Sequence, residues 1–196
     1  MTNASRIGQD VYDTVRLAAR VLWSVLPNAP LLPRTHIILS VETEDGPFIA
    51  DVGFGGPGAQ RHPVRLAPGL VQETGGGRIR IVEDPLFQTL ELENDGEWQE
   101  VYRFTMEEIL PVDVEVANWF TATHPQSPFL ARLVMHRFLP DGRTALVNRR
   151  LTRRYEAQPT EQTTLSTAQA MEEVFETTFG IECPVPVAEV FTRVPA

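Results

Sequence analysis

The first half of the chain consists of short β-type runs separated by turn signals. β-branched and apolar residues fill His36 to Glu42 and Phe48 to Val52, and Glu44 to Pro47 forms a turn between them. Glycine-rich turns follow at residues 74–78 (TGGGR) and 94–98 (NDGEW). The other β-type runs are Arg16 to Leu22, Val64 to Leu66, Arg78 to Val82 and Phe87 to Leu92. About six short strands at this spacing predict an antiparallel β-barrel or sandwich.

The second half begins with two helix signals. Thr105 and the glutamate three residues later form a capping-box pattern, which predicts a short helix that ends at Pro111. Asp113 is placed to cap a further helix, which the His124-Pro125 pair ends. These helices follow the strand-rich half directly. We therefore place a domain boundary between residues 104 and 105.

A hairpin and a longer helix follow these signals. Residues 133–139 and 144–148 flank an Asp-Gly turn, which predicts a β-hairpin. Ser166 and Gln169 open an amphipathic helix that Gly180 ends. Its apolar face consists of Met171, Val174, Phe175 and Phe179. The fold class predicted is α+β, an antiparallel β-barrel or sandwich (16–104) followed by a small α/β lid with a C-terminal helix (105–196), after an N-terminal segment (1–15).

Composition excludes several classes of protein. The formal net charge of −9 argues against a general nucleic-acid binder, which needs a basic face to neutralise phosphates. The chain has no apolar run of membrane-spanning length and no signal-peptide pattern, so we expect neither a membrane span nor secretion. A single cysteine excludes a disulfide framework within the sequence and fits a reducing compartment. We expect a cytoplasmic protein.

The basic residues are unusual because all 17 are arginine and none is lysine. The absence of lysine excludes Schiff-base chemistry and the lysine of a phosphate-binding P-loop. Arginine forks suit phosphate or carboxylate groups, and seven of the 17 lie between Arg132 and Arg154. This stretch either binds an anionic ligand or forms a solvated surface, and solvation is the commoner role of such charge runs.

The hairpin from Arg34 to Gly56 contains a histidine and an aspartate that suggest catalysis. A carboxylate beside an imidazole orients the ring and stabilises its protonated form. A flat hairpin that turns at Asp45-Gly46 places Asp51 opposite Ser40, about 13 Å along the strand from His36. The two side chains then meet only through a bulge, a strong twist or another strand neighbour. A histidine in an apolar strand is more often a structural residue, so the residues alone leave both interpretations open.

Five segments resemble the arylamine N-acetyltransferase family. They cover nearly the whole chain and occur in the family's order, which makes the resemblance specific. The segments are LAARVLW from Leu17, RTHIILSV around His36, DVGFGG from Asp51, VANWFTATHPQSPF from Val116, and DGRTALVNRRLTRR from Asp141.

The resemblance implies an acyl transfer through a Cys-His-Asp mechanism, with acetyl-CoA as co-substrate and an arylamine or hydrazine as acceptor. It assigns the catalytic histidine to His36 and the catalytic aspartate to Asp51. It further implies that five residues line the cleft for acetyl-CoA and amine, namely Trp23, Thr35, Phe54, Gly55 and Phe129. The glycines at 53, 55 and 56 are expected to adopt positive φ or to let a ligand approach closely.

The resemblance also implies that the nucleophile is missing from this chain. Family members place a helical domain with a Gly-Gly-x-Cys segment before LAARVLW, and here about sixteen residues precede it and none is cysteine. Residues 1–15 then correspond to a remnant of that domain. The only cysteine, Cys183, lies between prolines near the C-terminus, where nothing in the sequence activates a thiol.

Three hypotheses about function follow. The first is a transferase whose cysteine domain is supplied separately or was lost to a truncated reading frame. The second is a non-catalytic remnant that binds CoA or an aromatic amine, and the third is an interaction module that joins a partner or a second copy. We expect the chain alone to be nearly inactive. We expect no metal, because His62, His124 and His136 have no ligands nearby at metal-binding spacing.

Overall fold

The computed structural model describes residues 4–7, 10–25, 28–155 and 158–195. The chain divides into two compact units, Met1–Phe120 and Thr121–Ala196. We call them the barrel unit and the second unit. Part of the predicted N-terminal segment, residues 1–3 and 8–9, lies outside the described residues, and its described part consists of strand.

The barrel unit is a nine-stranded antiparallel sheet that forms a nearly closed barrel. Eight strands follow the order β5-β4-β3-β2-β9-β8-β7-β6, and β1 pairs with β2 beside them. The strands are β1 (Ala4–Ile7), β2 (Asp10–Val21), β3 (His36–Thr43), β4 (Gly46–Ala50), β5 (Val64–Arg65), β6 (Gln72–Glu73), β7 (Arg78–Glu83), β8 (Gln88–Asn94) and β9 (Glu97–Glu108). The antiparallel architecture predicted from the sequence is confirmed.

Alternation of side chains along the strands builds the core of the barrel unit. Inward-facing residues such as Ile38, Ile49 and Phe104 are fully or almost fully buried, because successive strand residues point to opposite faces of a sheet. Two bulges interrupt the regular pairing, one between β2 and β9 and one between β8 and β9. Bulges add twist, which helps a sheet to curl toward a barrel.

The helix predicted to start at Thr105 is wrong. Strand β9 continues to Glu108, which pairs with Leu17 of β2 beyond a bulge, and this pairing overrides the local capping pattern. Pro111 begins helix α1 (Pro111–Thr123) instead of ending a helix, as suits a residue that lacks a backbone N–H donor. Asp113 therefore lies in the first turn of α1 rather than at its cap.

The second unit consists of a four-stranded antiparallel sheet and two helices. The sheet order is β10-β11-β12-β13, with β10 (Val134–Leu139), β11 (Gly142–Val147), β12 (Arg150–Tyr155) and β13 (Glu161–Thr164). A 3-10 turn at Pro128–Leu130 precedes the sheet. Leu146 and Leu151 face Met171 and Phe175 in a core that closes this unit by itself. The predicted hairpin is confirmed, whereas β12 and β13 were not expected.

The helices of the second unit differ in detail from the expectation. Thr167 rather than Ser166 caps α2 (Ala168–Glu173), because its side chain accepts a hydrogen bond from the Ala170 N–H. The helix continues as a π-helical stretch, Val174–Phe179, and ends at Gly180 in the left-handed conformation. It is not the last helix, because α3 (Val187–Arg193) follows. None of the described helices is long and apolar enough to cross a membrane.

Candidate active site

His36 and Asp51 meet in the barrel unit. The Nε2 atom of His36 lies 2.7 Å from Oδ2 of Asp51, which is a short charge-assisted hydrogen bond. The Asp51 side chain is 0% exposed and that of His36 is 13% exposed. The predicted contact between the two side chains is confirmed.

The register of strands β3 and β4 explains how the pair forms. Thr43 pairs with Gly46, and Leu39 pairs with Ala50, which differs from the register of a turn at Asp45-Gly46. Continuing this ladder by one residue places Asp51 opposite Ile38, about 7 Å along the strand from His36. Since His36 and Ile38 share a face of β3, a small turn of the chain after Ala50 brings the carboxylate to the ring.

The backbone after β4 holds the other oxygen of Asp51. Oδ1 accepts hydrogen bonds from the backbone N–H groups of Gly53 and Phe54, both at 3.0 Å. This local turn directs the carboxylate and offsets the cost of burying its charge. Asp51 therefore has a fixed position, which in turn fixes the orientation of the imidazole.

Three aromatic or amide side chains complete the surroundings of the pair. The rings of Phe54 and Tyr102 lie 5.6 Å and 5.4 Å from the His36 ring, centroid to centroid. Gln60 donates a hydrogen bond from Nε2 to the Tyr102 hydroxyl at 2.9 Å. Burial, the Asp51 charge and a hydrogen bond to Asp51 raise the pKa of Tyr102 well above 10.0. Tyr102 therefore stays a neutral donor beside the carboxylate.

Tyr102 and Gln60 are site residues that the sequence analysis missed. Tyr102 lies on β9, about fifty residues from Asp51, and nothing in the spacing of the sequence connects the two. Its position becomes apparent only from strand pairing, since Tyr102 pairs with Val21 of β2, and Ala19 on that strand pairs with His36. Only a known strand order could have revealed it.

The structure brings together part of the predicted cleft residues. Phe54 packs edge-on against His36, and Trp23 packs against the core of the barrel unit. Thr35 directly precedes His36 and is partly buried, and Gly55 is exposed. Phe129 belongs to the second unit, where it is 60% exposed. Their roles in binding stay predictions.

The glycines after Asp51 behave differently from one another. Among Gly53, Gly55 and Gly56, only Gly56 has a positive φ, at 97°. An added Cβ at Gly53 would touch Cε1 of His36 at 3.5 Å, an ordinary van der Waals distance. Gly53 therefore keeps the space beside the imidazole open without requiring an unusual backbone.

The geometry permits proton transfer at one atom of the histidine. Asp51 accepts a hydrogen bond from Nε2 of His36. In this tautomer the proton is on Nε2, and Nδ1 carries the free lone pair. Nδ1 can accept a proton from a nucleophile, and the buried carboxylate stabilises the imidazolium that results. The pair is therefore suited to act as a general base that needs a separate nucleophile.

Cys183 is the one cysteine of the sequence, and it is partly buried. It belongs to the second unit and contacts the core of that unit. The residues that line the adjacent cavity include Glu172, Glu176 and Glu182 and no basic side chain. The structure thus agrees with a packing role for this cysteine.

Comparison with known proteins identifies the family of this arrangement. An N-acetyltransferase family model matches residues 7–187. The arylamine N-acetyltransferase of Mycolicibacterium smegmatis is 35% identical over 173 residues, which cover 87% of this chain and 62% of that protein. The M. smegmatis enzyme structure superposes with a TM-score of 0.85 at 32% identity, covering 93% of this chain and 68% of that one.

A second solved structure is that of Mycobacterium marinum arylamine N-acetyltransferase in complex with CoA. It matches with a TM-score of 0.81 at 34% identity, covering 91% of this chain and 65% of that one. This chain spans about three fifths of the length of the curated relatives it matches. Because the family model covers most of the 196 residues, the chain belongs to the arylamine N-acetyltransferase family.

Proposed function

We propose that this chain carries the histidine and aspartate of an acyl transferase that moves an acetyl group from acetyl-CoA to an arylamine or hydrazine. The 2.7 Å contact between His36 and buried Asp51 is the observation that carries the proposal. Family membership supports the reaction class, and the CoA complex of the M. marinum relative supports the donor. The single unpaired cysteine favours action in the cytoplasm.

Each residue of the site has a distinct part in the proposed mechanism. His36 Nδ1 takes the thiol proton of the nucleophile, and the thiolate attacks the thioester carbonyl, so that CoA leaves as its thiol. The amine then attacks the acetyl-enzyme, and the histidine relays the amine proton to the departing thiolate. Asp51 holds Nε2 throughout, and Tyr102 donates to Asp51. Phe54, Gly55, Thr35, Trp23 and Phe129 are proposed as walls for the two substrates.

We propose that the thiol comes from a cysteine-bearing segment outside these 196 residues. The sequence has one cysteine, and Cys183 packs in the second unit without a basic neighbour in its cavity. His36 and Asp51 orient and move protons, but neither takes up the acetyl group in this mechanism. The 196-residue chain alone is therefore nearly inactive.

Two measurements test this proposal. The purified chain is incubated with labelled acetyl-CoA and aniline, first alone and then with a segment containing Gly-Gly-x-Cys. Acetylaniline should form only in the mixture, and intact-mass analysis should find the acetyl group on the added cysteine. His36→Ala should abolish this transfer, while His62→Ala, which changes an exposed histidine of the same unit, should not. An acetyl adduct on Cys183 with turnover by the chain alone would contradict the proposal.

A second candidate function, that of a partner-binding module, is favoured by helix α1. None of its described side chains is buried, and Val112, Val116 and Trp119 are 62%, 63% and 62% exposed. Their spacing puts them on one helix face. Val116 and Trp119 line a cavity of about 300 Å³ together with Arg34, two residues before His36. We propose that the cysteine-bearing segment docks here, because the exposed apolar residues of α1 and the adjoining cavity give it a surface to pack against.

The substitution Trp119→Ser tests which partner binds to this face of α1. The substitution should weaken association of the chain with the cysteine-bearing segment in analytical ultracentrifugation. Trp98→Ser, at a tryptophan on β9, serves as the control. If the chain alone dimerises and Trp119→Ser abolishes the dimer, a second copy of the chain occupies this face instead.

A further inference from the structure

Three arginines are neighbours on the outward face of the barrel sheet. Arg20 of β2 and Arg103 of β9 are directly opposite each other in the antiparallel ladder, so their Cβ atoms lie about 5 Å apart. The neighbours of Arg103 on β9, Tyr102 and Phe104, are 0% exposed and face inward, so Arg103 points outward. Arg34 approaches the same face, since its guanidinium donates to Thr105 Oγ1 at 3.3 Å.

These arginines have no acidic partner among the residues that the structure describes. Arg20 donates to the Leu32 carbonyl oxygen, and the Arg103 guanidinium lies 5.0 Å from the centroid of the Phe87 ring. Nε of Arg103 is buried without a hydrogen-bond partner. Glu107, Glu108 and Asp113 line the same cavity as Arg34, but no ion pair joins any of them to it within the described residues. None of the three arginines is therefore held in an ion pair within the described structure.

The arrangement costs stability unless an anion binds. Like charges directly opposite each other in a sheet repel. Burial and the charges of Arg103 and Arg34 lower the pKa of Arg20 below its usual range. Arg20 and Arg103 are partly exposed and Arg34 is exposed, so a small molecule can reach all three.

We propose that Arg20, Arg34 and Arg103 form a binding site for a phosphate group on a small molecule. Guanidinium forks match the oxygens of phosphate, and two or more negative charges offset the repulsion among three cations. The hydroxyl of Thr105 adds a polar group beside them. The site lies on the face of the sheet opposite to His36 and Asp51, and it stands whether or not the proposed acyl transfer is confirmed.

Titration of the 196-residue chain with inorganic pyrophosphate tests the site. Isothermal calorimetry should detect binding that weakens as salt rises. Arg34→Gln and Arg103→Gln should each weaken it roughly tenfold, the loss expected for one charge-assisted contact. Arg132→Gln, which changes an exposed arginine of the second unit, is the matched control. Since Arg34 is exposed, its variant should fold even if substitution of Arg103 disturbs β9.

Two further ligands distinguish the source of the phosphate. If CoA binding also falls roughly tenfold in Arg34→Gln, the phosphates of CoA occupy the site. If CoA binding is unchanged while pyrophosphate binding falls, the site takes a separate phosphate compound. The proposal is overturned if wild type does not bind pyrophosphate, if Arg34→Gln and Arg132→Gln bind it equally, or if only an acidic peptide such as hexaglutamate binds.

Discussion

The two units place a histidine in opposite electrostatic surroundings. In the barrel unit, His36 faces the buried carboxylate of Asp51, whose Oδ2 lies 2.7 Å from its Nε2. In the second unit, burial and the nearby Arg143 lower the pKa of His136, and its Nε2 is buried without a hydrogen-bond partner. The strand position of a histidine does not decide its chemistry. The side chains around it do, because His36 has a carboxylate as hydrogen-bond partner whereas His136 is buried beside a guanidinium.

The largest expected effect is a difference in acetyl-transfer rate between variants of these two histidines. With a cysteine-bearing segment present, His36→Ala should lower the rate of acetyl transfer by roughly 10³-fold, as for loss of a general base. His136→Ala should leave the rate within about twofold of wild type, since it has no place in the proposed proton path. Initial rates of acetyl-CoA consumption measure both. Equal losses in the two variants would break the comparison between the units.

A steric test asks whether the stability of both units depends on glycines that lie close to a facing backbone carbonyl. A Cβ added at Gly76 of the barrel unit would lie 2.1 Å from the carbonyl oxygen of Ala59. A Cβ added at Gly142 of the second unit would lie 2.1 Å from the carbonyl oxygen of Arg154. Gly76→Ala and Gly142→Ala should each lower the free energy of unfolding by about 2–3 kcal/mol through overpacking. Urea midpoints followed by circular dichroism measure the loss.

The matched control for this steric test is Gly96→Ala. Gly96 has a φ of 83° and no atom within 4 Å of an added Cβ, so only backbone strain of about 1 kcal/mol is expected. A loss as large at Gly96 as at Gly76 would show that strain, and not contact with the facing carbonyl, limits these turns.

Removal of the Tyr102 hydroxyl tests how much the hydrogen bonds around Asp51 contribute to stability and to activity. Tyr102→Phe keeps the ring beside His36 but removes the hydrogen bonds to Asp51 and Gln60. We expect a free energy of unfolding lower by about 1–1.5 kcal/mol and a transfer rate lower by roughly tenfold. Tyr155→Phe, in the second unit, should change neither quantity. A rate unchanged in Tyr102→Phe would show that the hydroxyl only supports packing.

The smallest expected effect is a pH dependence of stability at His136. Because its pKa is lowered in the folded protein, the unfolded chain binds more protons below about pH 6.5, the ordinary value. The free energy of unfolding should therefore fall as pH drops below that value, and it should be restored above it. Urea midpoints at about pH 7.5 and 5.5 measure the change. His136→Gln should reduce the drop, and His62→Gln should not.

Local patterns predicted most of the barrel unit. β-branched runs and glycine turns placed β3, β4, β7 and β8 close to their observed bounds, because both signals act over a few neighbouring residues. The same patterns failed between Thr105 and Pro111, where pairing with a distant strand outweighed a capping box. They also missed β1, β6 and β9 of the barrel unit, and β12 and β13, whose polar residues carry little alternating signal.

The candidate site was predicted in part. Motifs in the sequence singled out His36, Asp51 and Phe54, which the structure brings together. The expected register did not join the histidine to the aspartate, since a shift of two residues separates the flat hairpin from the observed one. The observed register depends on a two-residue turn at Glu44 and Asp45. The sequence around this turn is compatible with more than one type of hairpin, so it does not choose between the registers.

The sequence by itself determined the strand-rich first half, several of its strands and turns, and the family motifs, because these depend on residue type and local spacing. Only the tertiary structure decided that Asp51 reaches His36, that Tyr102 and Gln60 stand behind the carboxylate, and that Arg20 faces Arg103. These contacts join strands far apart in the chain. Their partners are chosen by strand order and register, which residue type and local spacing leave undetermined.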